Sequence, residues 1–242
     1  MQIGPETRVL VTGASRGIGE AVANAFAARG STVGRVSRSG EIAADVADPE
    51  SISRAVNGFG EIDVLVANAG IAHYLPFGEM PLELVEELTS VNWMGTVNTV
   101  RAALPGMLSR GRGHIVIVSS GAGIRSFPGA AVYGATKAAQ RGFGEALRHE
   151  LKGTGVGLTM VYPGQIRSSL HDHERDRMPA WYRPERTAPP EPLAEAVVEG
   201  VAKERREVFH PPNVRLLRVV HGLNPALADV LLRRIMHPGA AP

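Results

Sequence analysis

The chain has 242 residues, 44% of them hydrophobic, which suits one large α/β domain with a single core and excludes a disordered polymer. Its net charge of +2 is too small to demand a polyanion, so no nucleic-acid partner is expected. The lack of cysteine excludes a disulfide framework and a thiolate metal site, and it fits a cytoplasmic location. No run approaches about 18 apolar residues, so no spanning helix is expected. The opening M-Q-I-G-P-E-T has no basic flank or long apolar core, and no secretory leader is expected.

In chain order, R-V-L-V-T at 8–12 reads as the first strand. It is followed by T-G-A-S-R-G-I-G, residues 12–19, leading into a helix from about Gly17 to Arg29. Gly13, Gly17 and Gly19 allow a tight turn, close approach of a pyrophosphate and packing of the helix start on the sheet; the helix N-terminus then offers unpaired amides to phosphate. The strand at 32–38 ends in Ser37 and Arg38. An acidic residue there would bind ribose hydroxyls, whereas an arginine offers a fork of donors to a 2'-phosphate. With Arg16 in the glycine turn, two guanidinium groups can flank one phosphate, which favours NADP(H) over NAD(H).

Only six residues separate Arg38 from Asp45, too few for a crossover helix. Asp45 can hold an adenine amino group or serve a turn, and a helix follows from Pro49 to Asn57. The strand at 62–68 runs into Asn68, Ala69 and Gly70, where backbone can pass close to the adenosine. Residues 81–109 read as a long helix with a break near Trp93, and Asn92 inside it is a poor helix former that asks for a reason. The strand at 114–120 ends in Ser119 and Ser120. A helix from Tyr133 to Lys152 places Lys137 one turn beyond Tyr133, where the two can be neighbours. A strand at 157–163 leaves through Pro163 and Gly164 into a polar loop with Ile166 and Ser168; a helix at 192–203 and a strand at 207–211 follow.

Apolar strands alternating with helices predict a parallel sheet covered on both faces, a Rossmann-type doubly wound α/β fold. Residues 1–211 are assigned to this domain, with a substrate loop at 165–192, and 212–242 to an amphipathic extension of it. Ligands in such sheets bind beyond the carboxyl ends of the strands, where the singled-out residues fall.

Together these segments resemble the short-chain dehydrogenase/reductase family over residues 8 to about 170. The matching pieces are Thr12, Gly13, Gly17 and Gly19; Asn68, Ala69 and Gly70; Asn92; Ser120; Tyr133 and Lys137; and Pro163 with Gly164. The resemblance implies hydride transfer between a nicotinamide cofactor and a secondary alcohol or carbonyl. Tyr133 is the implied acid/base, with Lys137 and the oxidised nicotinamide favouring its phenolate. Lys137 also holds the nicotinamide ribose, Ser120 bonds the substrate oxygen, and Asn92 fixes a relay water. The implied cofactor cradle comprises Thr12, Gly13, Ser15, Arg16, Gly17, Ile18, Gly19, Ser37, Arg38, Asp45, Val46, Asn68, Ala69, Gly70, Tyr133, Lys137, Pro163, Gly164, Ile166 and Ser168. Ser168 stands where the family usually has threonine, which keeps the hydroxyl.

In the loop, His171 and His173 with Asp172 and Glu174 are metal-ligand types, but a solvated charged loop explains them better and no metal is assigned. Met178, Trp181 and Tyr182 are candidates for an apolar substrate pocket. Residues 203–242 hold seven Lys or Arg against three acids, which leaves the rest of the chain at −2. Within that tail, Leu216, Leu217, Val220 and Leu223, then Leu227, Val230, Leu231 and Ile235, recur at helical spacing beside arginines. Three uses compete: packing within the domain or between subunits, covering a lipophilic substrate, and lying on an anionic membrane surface. The small residues Ala135, Ala138, Ala139 and Gly142 allow close helix approach, consistent with a homodimer or homotetramer.

Overall fold

A computed structural model describes residues 1–171, 174, 178 and 187–236, with backbone alone for 231–236. Strands β1 (Arg8–Thr12), β2 (Thr32–Ser37), β3 (Ile42–Ala43), β4 (Val64–Ala67), β5 (Gly113–Val118), β6 (Val156–Pro163) and β7 (Glu207–His210) form one sheet in the order β3-β2-β1-β4-β5-β6-β7. Every pairing is parallel. Helices α1 (Gly17–Ala27), α2 (Pro49–Phe59), α3 (Leu82–Leu88), α4 (Gly95–Arg110), α5 (Ala131–Glu150), α6 (Pro190–Ala202), α7 (Asn213–Leu223) and α8 (Pro225–Met236) pack around it, with short helical turns at Phe77–Glu79, Thr89–Met94 and Gly121–Gly123. The doubly wound fold is as expected from the sequence.

Strand side chains alternate between two apolar layers, as the period of two requires. Val9, Val11, Val64, Val66, Val116 and Val118 pack with Val22 and Phe26 of α1 and Leu193, Val197 and Val201 of α6. Leu10, Leu65, Ile115 and Ile117 point the other way, onto Ile52 and Val56 of α2, Val100 and Met107 of α4, and Leu147 of α5. Both faces of the central strands are therefore dry, which is why they carry almost unbroken Val and Ile. The chain leaves β1 and β4, adjacent in the sheet, towards opposite layers, and the crevice between their carboxyl ends is the switch point at which the site lies.

Two elements differ from the sequence reading. The short segment after Arg38 forms no helix, but it does form β3, pairing Ile42 with Val36 and Ala43 with Ser37 at the sheet edge. The long helix at 81–109 is interrupted by a π-helical turn, Thr89–Met94, between α3 and α4; the break near Trp93 was expected, its wide-turn form was not.

His114 in β5 is buried, and its Nε2 lies 2.8 Å from the Thr159 hydroxyl. Burial lowers its pKa from 6.5 to about 4. In the unfolded chain it binds a proton below about pH 6.5, so the folded state loses stability as pH falls from there towards 4, by about 3 kcal/mol. Urea unfolding at both ends of this window is expected to show that loss, and His114→Gln to show a flatter dependence.

Candidate active site

The carboxyl ends of the strands open into a cleft of about 950 Å³. At one end lies the turn between β1 and α1. Gly13 and Gly17 hold φ of +66° and +62°, where L side chains are strained. A Cβ on Gly19 would collide with the Gly13 carbonyl. Arg16, the N-cap of α1, is extended and makes no side-chain capping bond. The first-turn amides of α1 thus face the cleft without a protein cap, an arrangement that suits phosphate.

Gly13, Ser15, Arg16, Gly17, Ile18 and Gly19 line this end with Ser37, Arg38, Asp45, Val46, Asn68, Ala69 and Gly70. Arg16 and Arg38 are exposed, and neither has an ion-pair partner among the described residues. The buried Ser37 hydroxyl likewise has no hydrogen-bond partner there. Two unpaired guanidinium groups and an orphaned hydroxyl at the end of β2 fit a phosphate ester on the adenosine side of a dinucleotide. Pro163, Gly164, Ile166 and Ser168 close the cleft from the end of β6.

Thr12 and Asn68 join the glycine turn to the end of β4. Thr12 is buried behind the cleft, where its hydroxyl accepts from the Asn68 and Ala69 amides at 3.1 and 3.2 Å. The Asn68 side-chain amide in turn donates to the Thr12 and Gly13 carbonyls at 3.0 and 3.2 Å. These two residues clamp the end of β4 to the glycine turn and shape the cradle through backbone.

Further along the cleft, Ser120 follows β5, and Tyr133 and Lys137 stand one turn apart on α5. The Lys137 Nζ lies 5.9 Å from the centre of the Tyr133 ring and donates to the Val118 carbonyl at 3.2 Å. Ser120 lies beside the Tyr133 phenol, and its hydroxyl accepts from the Ala122 amide at 3.1 Å. The resemblance implies that Lys137 and an oxidised nicotinamide together make the phenol acidic. In the protein alone, burial raises the Tyr133 pKa, with Ser120 opposing, and lowers that of Lys137 to about 8. The phenol of the protein alone is therefore held as a proton donor.

Asn92 lies behind Gly70, out of contact with the cleft. Its Oδ1 accepts from the Ile71 amide at 2.8 Å, and its Nδ2 donates to the Ile71 carbonyl at 3.0 Å and the Thr136 hydroxyl at 3.1 Å. Its own carbonyl accepts from the Gln140 amide at 2.9 Å. The wide turn thus frees a backbone carbonyl of the helix for α5 and joins the end of β4 to the helix carrying Tyr133. That is the reason for an asparagine in a helix.

The far end of the cleft is largely apolar, with Tyr74, Phe127, Leu170, Met178, Val214 and Leu217 beside Arg125 and His171. The Tyr74 ring meets the Tyr133 ring edge-on at 5.8 Å, and its hydroxyl lies 3.2 Å from His171 Nδ1. Met178 was anticipated; Tyr74 and Phe127 were not, although their places just after the N-A-G and serine segments were a usable signal. Glu174 is buried with an oxygen 2.7 Å from His73 Nδ1. His171 and Glu174 thus bond to Tyr74 and His73, while Asp172, His173, Trp181 and Tyr182 lie outside the described residues.

A parallel sheet with an uncapped, glycine-rich turn and with Ser120 beside buried Tyr133 and Lys137 on one cleft defines a dinucleotide-dependent oxidoreductase. A sequence model of the short chain dehydrogenase family matches residues 41–179, more than half the chain. The ketoacyl reductase HetN of Nostoc sp. is 31% identical over 254 aligned residues, covering 93% of this chain and 88% of that protein. Glycine betaine reductase ATRR of Emericella nidulans is 36% identical over 183 residues, 66% of this chain but only 14% of that much longer protein. A short chain dehydrogenase from Burkholderia cenocepacia, solved in complex with NADP, superposes with a TM-score of 0.84 at 26% identity, covering 96% of this chain and 99% of that one. The chain belongs to the short-chain dehydrogenase/reductase family and is an NAD(P)-dependent oxidoreductase.

Proposed function

We propose that the chain is an NADP(H)-preferring reductase that interconverts a secondary alcohol and a ketone or aldehyde, with Tyr133 as proton donor and acceptor. The observation that carries this reading is one continuous cleft that runs from Arg16, Arg38 and the α1 N-terminus to Ser120, Tyr133 and Lys137 and on to an apolar end. The nicotinamide, when bound, supplies or takes the hydride. Ser120 holds the substrate oxygen at the phenol, and Tyr133 gives that oxygen its proton in the reducing direction or removes it in the oxidising one. Lys137 places a positive charge beside the phenol and the ribose hydroxyls. The Asn92 brace keeps Ile71 and α5 in register behind them, so Asn92 acts in positioning. The apolar far end favours a substrate with an extended or ring-bearing apolar part.

The test is nicotinamide absorbance over a panel of carbonyls and alcohols with each cofactor. NADPH is expected to outperform NADH, and no turnover with any carbonyl would reject the reading. Arg38→Asp is expected to weaken NADPH binding about 10- to 100-fold, as losing a charge-assisted phosphate contact requires, and to improve NADH relative to it. Unchanged NADPH affinity would contradict the phosphate clamp. A sensor that binds dinucleotide without turnover is the remaining alternative, and the buried phenol against Ser120 weighs against it because binding alone uses no proton donor.

A further inference from the structure

We propose that the outer face of the α7–α8 pair is a docking surface for an anionic lipid bilayer and brings the cleft to the membrane. Five large apolar side chains are exposed within fifteen residues: Leu216, Val219 and Leu223 on one face of α7, then Leu227 and Val230 on α8, with Leu223 83% exposed. They follow i, i+3 and i+7 spacing on α7 and i, i+3 on α8. The inner face is already occupied: Val214 and Leu217 line the cleft, and Ala228 is buried. Arg218 bonds Glu145 at 3.0 Å and approaches Glu207 at 3.7 Å, and Arg125 pairs with Asp229. The pair is thus fastened to the body and presents its apolar stripe outward.

Charge selects the occupant. Residues 213–236 carry four arginines and one acid, Asp229, for a net +3. Arg218 and Asp229 are spent on the body, while Arg215 stays exposed one turn before Val219, and Arg233 and Arg234 add charge to the last turn of α8. A second copy docking by twofold symmetry would face this positive patch with itself, which repels. An anionic bilayer offers negative headgroups above an apolar layer, which suits leucines flanked by arginines. No helix among the described residues is long and apolar enough to cross a membrane, so the contact is with the surface. If the cleft is the reductase site proposed above, its apolar end beside Val214 and Leu217 then receives a lipophilic carbonyl from the bilayer.

The test is co-sedimentation of the full chain with vesicles of phosphatidylcholine, alone or with roughly a third phosphatidylglycerol. The chain is expected to pellet with the anionic vesicles only, and less so at about 1 M salt, where the screening length is about 3 Å. Leu216→Ser/Leu223→Ser is expected to keep its melting temperature and bind at least about tenfold more weakly, since two exposed leucines no longer enter the bilayer. Arg215→Glu supplies the charge arm should the double variant fail to fold, and is expected to weaken binding to anionic vesicles. Wild-type chain left in the supernatant, Arg215→Glu binding undiminished, or a folded double variant binding as wild type would each overturn the proposal. So would a dimer that the double variant splits without any vesicle binding, because the patch would then belong to a second copy. Tyr133→Phe is expected to bind vesicles like wild type, so a failure of the catalytic reading leaves this result separately readable.

Discussion

Tyr133→Phe is expected to lower kcat for carbonyl reduction by roughly 10³-fold while leaving NADPH affinity within about twofold, as removal of a positioned proton donor does. The phenylalanine fits the same buried place, with the edge-on contact to Tyr74 intact and only the hydroxyl removed. The substrate oxygen then gains charge with no proton to receive, while the cradle at the glycine turn is untouched. Stopped-flow absorbance for turnover and cofactor fluorescence for binding separate the two effects. Turnover equal to wild type would remove the phenol from the mechanism, and loss of NADPH binding with turnover would mean it serves the cradle instead.

Asn92→Ala has the next largest expected effect, on both fold and rate. The substitution removes three side-chain hydrogen bonds and leaves the Ile71 amide and carbonyl facing a small cavity without their partners. Each buried group left unpaired costs about 1–3 kcal/mol, so the chain is expected to lose roughly 3–5 kcal/mol of unfolding free energy. Because Ile71 follows Gly70 at the cleft wall and Thr136 sits between Tyr133 and Lys137 on α5, kcat is expected to fall as well. Urea unfolding and turnover of the same variant check both, and a stable variant with normal rate would show that the brace is dispensable.

The physics of the sheet made much of the fold legible in advance. Strands buried on both faces must read as Val and Ile runs, and the residues after them gather at one end of the sheet whatever their separation in sequence. The Gly13, Gly17 and Gly19 turn was readable because backbone strain and close approach leave little choice of residue. What could not be read were contacts made by loops. Tyr74 and His171 are 97 positions apart, and nothing in the spacing of either announces their bond. Two-residue β3 is too short to carry an alternation, and the wide turn around Asn92 exists through its partners on α5, which a local pattern does not contain. The sign of the Tyr133 shift in the protein alone was also beyond the sequence, since it depends on burial outweighing the opposing effect of Ser120.

A crystal structure of the chain with NADP⁺ tests the account most directly. The 2'-phosphate is expected between Arg16 and Arg38, the pyrophosphate at the start of α1, and the nicotinamide in reach of Tyr133 and Lys137. A dinucleotide bound with its phosphate away from both arginines, or with its nicotinamide outside the part of the cleft that holds the Tyr133 phenol, would contradict it.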